Sequence, residues 1–451
     1  MTGLALCGLA FIATYVAGRR SLLHGIMAVL AVGYAFGIVR GNVPSTTSYF
    51  LFDASVLALY LTQLVRPVPL EERLRTRQLA HWVGLLALWP MALLLVPAQD
   101  PMVRLVGLRA HIIFLPFLLF GARMGEEEMD RLALWIAALN LVAFGFAMGE
   151  FLFGIEHFFP QNPVTEIIYR TKDVKATGDI IGSAFRIPSV FPTASSYGAT
   201  MAVSVPFLLG AWVQKARSAA RYWLLTTGLG ASVLGVFLAA SRTHVLILLV
   251  PLAVSLLSGR MGVIGRAVWI MMLGGLGWVV ASDERLFLRL VALGPQAIAS
   301  RFHVSVNQSF VDYALKYPLG NGLGGGGTSM PYFLLHLIRD PIGVENQYAT
   351  FMLEMGLPGL LLWVGFIVWA LTRRAGPSSD RWHLGRRLAW WVCVGYYLNG
   401  LIGIGFLTSV PFTILLLLST GWIATRPAPA AHAPAAPALP HGEGLPARAY
   451  A

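Results

Sequence analysis

The chain has 451 residues, of which 57% are hydrophobic and 12% charged; soluble globular proteins carry about 25% charged residues, so a soluble class is excluded. The net charge of +12 does not point to nucleic acid, because the Lys and Arg residues cluster in short connections between apolar runs, as orientation in a membrane requires. Cys7 and Cys393 lie far apart in apolar segments, which argues against a disulfide framework or a cysteine metal site.

A bilayer crossing takes about 20 apolar residues, and runs of about this length predict an all-α polytopic membrane protein with twelve or thirteen transmembrane helices. Six spans are expected within 1–154, near 3–17, 22–39, 49–65, 79–97, 102–121 and 131–154. The first lacks a basic leading segment and runs into Arg19 and Arg20, so it is expected to be retained. A connection at 155–189 follows. Four central spans are expected within 190–281, near 190–213, 222–240, 243–258 and 262–281. The longest connection, 282–344, precedes three spans within 345–425, near 345–371, 388–406 and 408–425. The tail 426–451 is rich in Pro and Ala and cannot build a core, so a disordered tail is expected.

Basic residues set the orientation. Alternate connections carry Arg19 and Arg20; Arg66, Arg73, Arg75 and Arg77; Arg123 and Arg131; Lys215, Arg217 and Arg221; Arg260 and Arg266; and Arg373, Arg374, Arg381, Arg386 and Arg387. These would be cytoplasmic, with the N-terminus outside and the C-terminus inside. The connections 155–189 and 282–344 then both fall on the outer face, where long loops tend to carry binding and catalysis.

Polar residues next to membrane helices are the candidates for chemistry, because charge in hydrocarbon is costly. Arg186 stands just before a span whose first turns are rich in Ser, Thr, Gly and Pro; it is either a headgroup anchor or an anion contact. In LAASRTHV, residues 238–245, the connection has almost no length. Ser241, Arg242 and Thr243 therefore sit beside a helix N-terminus, whose N–H groups and partial positive charge favour anions. Arg is also suited to bidentate phosphate binding. In the long loop Arg301 precedes an amphipathic stretch, and Tyr317, Gly322 and Gly324 belong to YPLGNGLG, read as a tight turn near a ligand. Gly320, Gly322 and Gly325 match GxGxxG, but no strand precedes them, so a dinucleotide reading fails. Glu345, Asn346 and Gln347 open the next helix. An acid there complements the helix dipole or serves as a base. Glu354, nine residues on, lies about half a turn away around the helix and is expected to pair internally. His157, His244, His303 and His336 lack metal-ligand spacing, so no metal or cofactor is expected.

The order of these features, Arg186–Gly198, Ser241–Thr243, Arg301 with Tyr317–Gly324, then ENQY…LEMGLPGLL over Glu345–Leu361, resembles the O-antigen ligase and O-antigen polymerase superfamily of bacterial membrane glycosyltransferases. The resemblance covers about 185–365; the N-terminal half matches only as a generic multi-span pattern. It implies a GT-C-like fold in the bacterial inner membrane, with its large loop and active site at the periplasmic face. The donor and acceptor would be glycans on undecaprenyl diphosphate, with a chain-length regulator and a flippase as partners. By position, Arg186, Arg242 and Arg301 match the family's diphosphate-binding arginines, and Glu345 would act on the attacking hydroxyl. Ser241, Thr243, Asn346, Gln347, Tyr317, Gly322 and Gly324 would support them. The ligase branch usually carries His-Asn where this chain has Glu345-Asn346; an acid fits the polymerase branch. An O-antigen ligase and a lipid-glycan transporter stand as alternatives. A transporter would show polar groups near mid-membrane and broken helices.

Overall fold

The computed structural model describes residues 2–174, 184–214, 218–257, 308–327, 330–344, 346–373 and 381–425, with isolated positions between 266 and 278. The expected span at 262–281, most of the first half of the long loop and the tail 426–451 lie outside the described residues. The rest is helical, apart from a two-residue antiparallel pair, β1 (Asp173–Val174) with β2 (Ala184–Phe185).

The first helices are α1 (Thr2–Arg20), α2 (Leu22–Asn42), α3 (Leu51–Leu64) and α4 (Leu70–Leu93). There follow α5 (Pro101–Ile112), α6 (Pro116–Arg123), α7 (Glu126–Phe153) and the short α8 (Glu166–Lys172). The central group is α9 (Ala194–Trp212), α10 (Ala219–Leu238) and α11 (Arg242–Leu257). The last are α12 (Gln308–Lys316), α13 (Gln347–Thr372), α14 (His383–Asn399) and α15 (Phe412–Ala424). Among the described residues, six helices are long and apolar enough to cross a membrane, α5 with α6 counting as one. The chain is thus a helical membrane protein.

Two expected spans are broken. The run 102–121 forms α5 and α6, which part where Pro116 cannot donate the N–H that would continue α5. The Ile113 carbonyl freed there accepts from the Tyr60 hydroxyl. The run 345–371 breaks at Gly356, whose φ of 69° is left-handed. A Cβ there would lie 2.5 Å from the Leu319 carbonyl carbon, so glycine is required on both counts. Backbone groups exposed by a break in a membrane must find partners. Here the Leu353 carbonyl accepts from the Asn321 N–H, the Met355 carbonyl from Trp89 Nε1 at 2.9 Å, and the Leu357 N–H donates to Pro318 at 3.1 Å. The turn after Tyr317 therefore fills the break.

Small residues and shared hydrogen bonds join the helices, as expected where apolar burial alone does not drive helix association. At Gly121 and Gly421, α6 and α15 approach so closely that a Cβ would lie 2.0 Å from the Leu418 carbonyl oxygen or 1.8 Å from that of Leu118. Asn140 on α7 accepts from the Tyr34 hydroxyl (2.5 Å) and donates to Ser204 (2.8 Å) and Ser232 (2.7 Å), tying α2, α9 and α10 to α7. Asp53 holds Arg109 in a bidentate pair, Nε at 2.7 Å and Nη2 at 2.6 Å. Arg386, expected in a connection, is instead buried in α14; its Nη1 donates to the Trp422 and Thr425 carbonyls at 3.2 and 3.1 Å, closing the C-terminus of α15.

Candidate functional site

Of the polar residues singled out in the sequence, Arg186, Ser241, Arg242, Thr243, Asn346 and Gln347 lie at one end of the bundle, where α2, α7 and α10 finish and α9, α11, α13 and α15 begin. Segment 186–193 crosses this end. Its Ile187 N–H donates to the Leu238 carbonyl (3.2 Å) and its Val190 carbonyl accepts from Ile38 (3.0 Å). Ser189 adopts a left-handed φ of 54°. Its N–H donates to Glu150 Oε2 at 2.8 Å and its hydroxyl to the Ala143 carbonyl at 2.6 Å. Thr193 caps α9 by accepting from the Ser196 N–H at 3.1 Å. Arg186 is thus presented by a backbone anchored on three helices.

Arg186, Ser195, Ser241, Thr243, His244 and Tyr396 line a cavity of about 440 Å³, within the roughly 300–1,000 Å³ of small-ligand sites. Ser241 is the last residue before α11, and Thr243 and His244 lie in its first turn. The Tyr396 hydroxyl is committed to the Ala199 carbonyl at 3.1 Å, so its ring forms the wall. Among the described residues no carboxylate lines this cavity. A guanidinium, several hydroxyls and a helix start without an acid form an environment for an anion.

The other expected site residues are distributed as follows. Arg242 opens α11 between two cavity-lining residues and is half-buried, but it does not itself line the cavity. Arg301 and Glu345 lie outside the described residues. Asn346 is not in the helix but caps it: its side chain accepts from the Tyr348 and Ala349 N–H groups at 2.9 and 3.1 Å and donates to the Leu401 carbonyl at 2.8 Å. Gln347 accepts from the Gly405 N–H at 2.9 Å, and its own N–H donates to the Gly400 and Gly403 carbonyls. Both amides therefore fix segment 400–405, which forms one wall of the cavity. Tyr317, Gly322 and Gly324 lie elsewhere and line neither cavity described here. Tyr317 packs beside Val344, Ala349 and Leu353, 5.0 Å from the Lys316 ammonium, whose pKa its hydroxyl raises by hydrogen bonding. Gly322 and Gly324 have left-handed φ of 92° and 80° and press against Gln99 and Val103.

Two buried groups, Glu150 and His111, were not singled out in the sequence. Glu150, fully buried, holds the Ser189 turn; it is the one charge between Arg131 and Glu156, a signal that was visible in the sequence. His111 Nε2 lies 2.7 Å from Glu354 Oε2, both buried, and Glu354 Oε1 accepts from the Gly326 N–H at 3.1 Å. The expected internal pairing of Glu354 is therefore with a residue 243 positions away.

A second cavity, of about 520 Å³, adjoins the first: Thr171 lines both, and Thr193 and Thr408 of the second neighbour Ser195 and Ser409 of the first. Arg40, Arg109, Arg170, Tyr49 and Tyr332 line it. Among the described residues no group of three or more His, Cys, Asp or Glu is placed to hold a metal ion. No protein-family model matches the chain, and no curated protein matches it.

Proposed function

We propose that the protein is a glycosyltransferase that polymerises undecaprenyl-diphosphate-linked oligosaccharide repeat units into a surface polysaccharide, an O-antigen, capsule or exopolysaccharide. The working face would be the periplasmic side of the inner membrane, with a GT-C-like bundle of twelve or thirteen spans. The observation that carries this reading is the cavity holding Arg186, Ser241 and Thr243 at the start of α11, with no carboxylate in its lining among the described residues. It suits a diphosphate at the depth where the headgroup of a polyprenyl donor would sit.

In the mechanism, a hydroxyl of the incoming repeat unit attacks the anomeric carbon of the lipid-linked chain. The new C–O bond forms as the bond to the diphosphate oxygen breaks, and the leaving diphosphate takes the electron pair. Glu345 accepts the hydroxyl proton. Arg186, with Arg242 and Arg301, neutralises the departing charge, the role a metal ion plays in other transferases. A single displacement inverts the anomeric configuration. Asn346 and Gln347 hold the wall against which the donor lies.

The test uses purified protein with its authentic lipid-linked repeat unit and no lipid A core. A ladder of repeat lengths on a gel is expected, and Glu345→Gln should abolish it. Transfer only after lipid A core is added would replace the polymerase with an O-antigen ligase. One observation favours a different reading, a lipid-glycan transporter: α13 is broken at Gly356 beside the buried His111–Glu354 pair. Movement of the lipid-linked glycan across proteoliposomes, with no new glycosidic bond, would establish that reading instead.

A further inference from the structure

We infer that the second cavity, around Arg40, Tyr49 and Tyr332, is a saccharide subsite for a sugar that bears a carboxylate. The inference rests on the glycan reading of the neighbouring cavity and names the acceptor that this reading leaves open.

Three arginines line the cavity, and two of them are already engaged. Arg109 is held by Asp53, and Arg170 pairs with Glu166 at 2.9 Å. Arg40 differs. Its guanidinium lies 4.3 Å from the ring centre of Tyr49 and 5.3 Å from that of Phe36. Among the described residues no carboxylate comes within ion-pairing distance of it. A guanidinium lying over an aromatic ring has N–H donors left for a planar anion, and a carboxylate matches that fork with two parallel hydrogen bonds.

The rings supply the other half of the site. Tyr49 sits 6.0 Å from Tyr332 and 5.6 Å from Phe333, centre to centre, and Tyr332 meets Phe333 edge-on. This shelf joins the 3-10 turn Thr47–Phe50 to the 3-10 turn Tyr332–Leu337 of the long loop. Flat aromatic faces beside a cation are suited to the apolar C–H face of a pyranose whose carboxylate points at Arg40. A phosphate would use the cation and leave the tyrosine faces idle. The two cavities share Thr171 in their linings, so a sugar on this shelf would lie next to the Arg186 cavity.

The experiment measures binding by calorimetry to protein in phosphatidylcholine nanodiscs. The probes are a hyaluronan tetrasaccharide, which carries glucuronate, and chitotetraose, its neutral counterpart. The acidic probe is expected to bind at least about tenfold more tightly, the scale of one charge-assisted bidentate contact. Arg40→Gln should erase that difference, Tyr332→Ala should weaken both probes, and Arg40→Lys should retain part of the preference. Should Arg40→Gln fail to fold, the Lys and Tyr332 variants carry the test. Equal binding of the two probes, or an unchanged preference in both Arg40 variants, overturns the subsite. So does Arg40-dependent retention of phosphatidylglycerol by a protein that binds neither sugar, which would make the cavity a headgroup site. No lipid diphosphate enters this assay. Acid-selective binding by a protein that yields no ladder would sink the polymerase and leave the subsite, whereas a ladder without acid-selective binding would do the reverse.

Discussion

At Arg186, the charge that faces the first cavity is held by a buried acid that never reaches it. Glu150 accepts the Ser189 N–H and so fixes the turn three residues after the arginine. The two roles separate by substitution. Arg186→Gln should lower repeat-unit transfer by about a hundredfold, the usual cost of one missing donor to a developing anion, with melting temperature unchanged; Arg186→Lys should fall between, having charge without the fork. Glu150→Gln keeps an acceptor for Ser189 and should retain activity and stability. Glu150→Leu strands a buried N–H and should cost about 1–3 kcal/mol, read as a lower melting temperature in detergent. The buried His111–Glu354 pair follows the same logic. Glu354→Gln can keep its oxygen on the Gly326 N–H and donate its NH2 to His111 Nε2, so it should be mild. Glu354→Ala leaves both unmatched and should cost about 1–3 kcal/mol for each stranded partner.

Among the helices, contact distance decides what a glycine is for. Gly421 lets α15 touch α6, and a Cβ there would sit 1.8 Å from a backbone oxygen, which cannot move aside cheaply. Gly230 on α10 meets nothing within 4 Å. Gly421→Ala should therefore lower the melting temperature, while Gly230→Ala should raise it slightly, since Ala favours a helix by up to about 1 kcal/mol over Gly. Thermal unfolding of the two variants side by side checks the opposite signs. Such contrasts were hidden in the sequence, where both residues are glycines in apolar runs. What was legible there was length. The starts of α9, α11 and α15 fall within a few residues of where apolar runs placed them, because a bilayer demands a minimum span. The interruptions were not legible. The break in α13 is completed by Pro318 and Asn321, and the break between α5 and α6 by Tyr60, partners that only the fold brings near. Arg186, Ser241 and Thr243 could be picked out as polar residues at span ends. Arg40 could not, since it resembles any arginine closing a membrane helix until Tyr49 and Tyr332 surround it.

Across the described residues, both cavities lie at the end where α2, α7 and α10 finish, opposite Arg19, Arg20 and Arg123, and the proposed chemistry depends on which compartment that end faces. From the charge pattern we propose that it faces the outside. Two exposed positions report on this directly. Arg170 follows α7 at the cavity end, with 77% of its side chain exposed. Arg73 lies in the first turns of α4 at the other end and is exposed as well. In a background with Cys7 and Cys393 replaced by serine, Arg170→Cys should react in intact spheroplasts with a maleimide that cannot cross the membrane. Arg73→Cys should react only after the membrane is permeabilised. The reverse pattern would turn the Arg186 cavity toward the cytoplasm. A polyprenyl-linked chain polymerised on the outer face could not then reach it, and the polymerase would fall whatever its arginines bind.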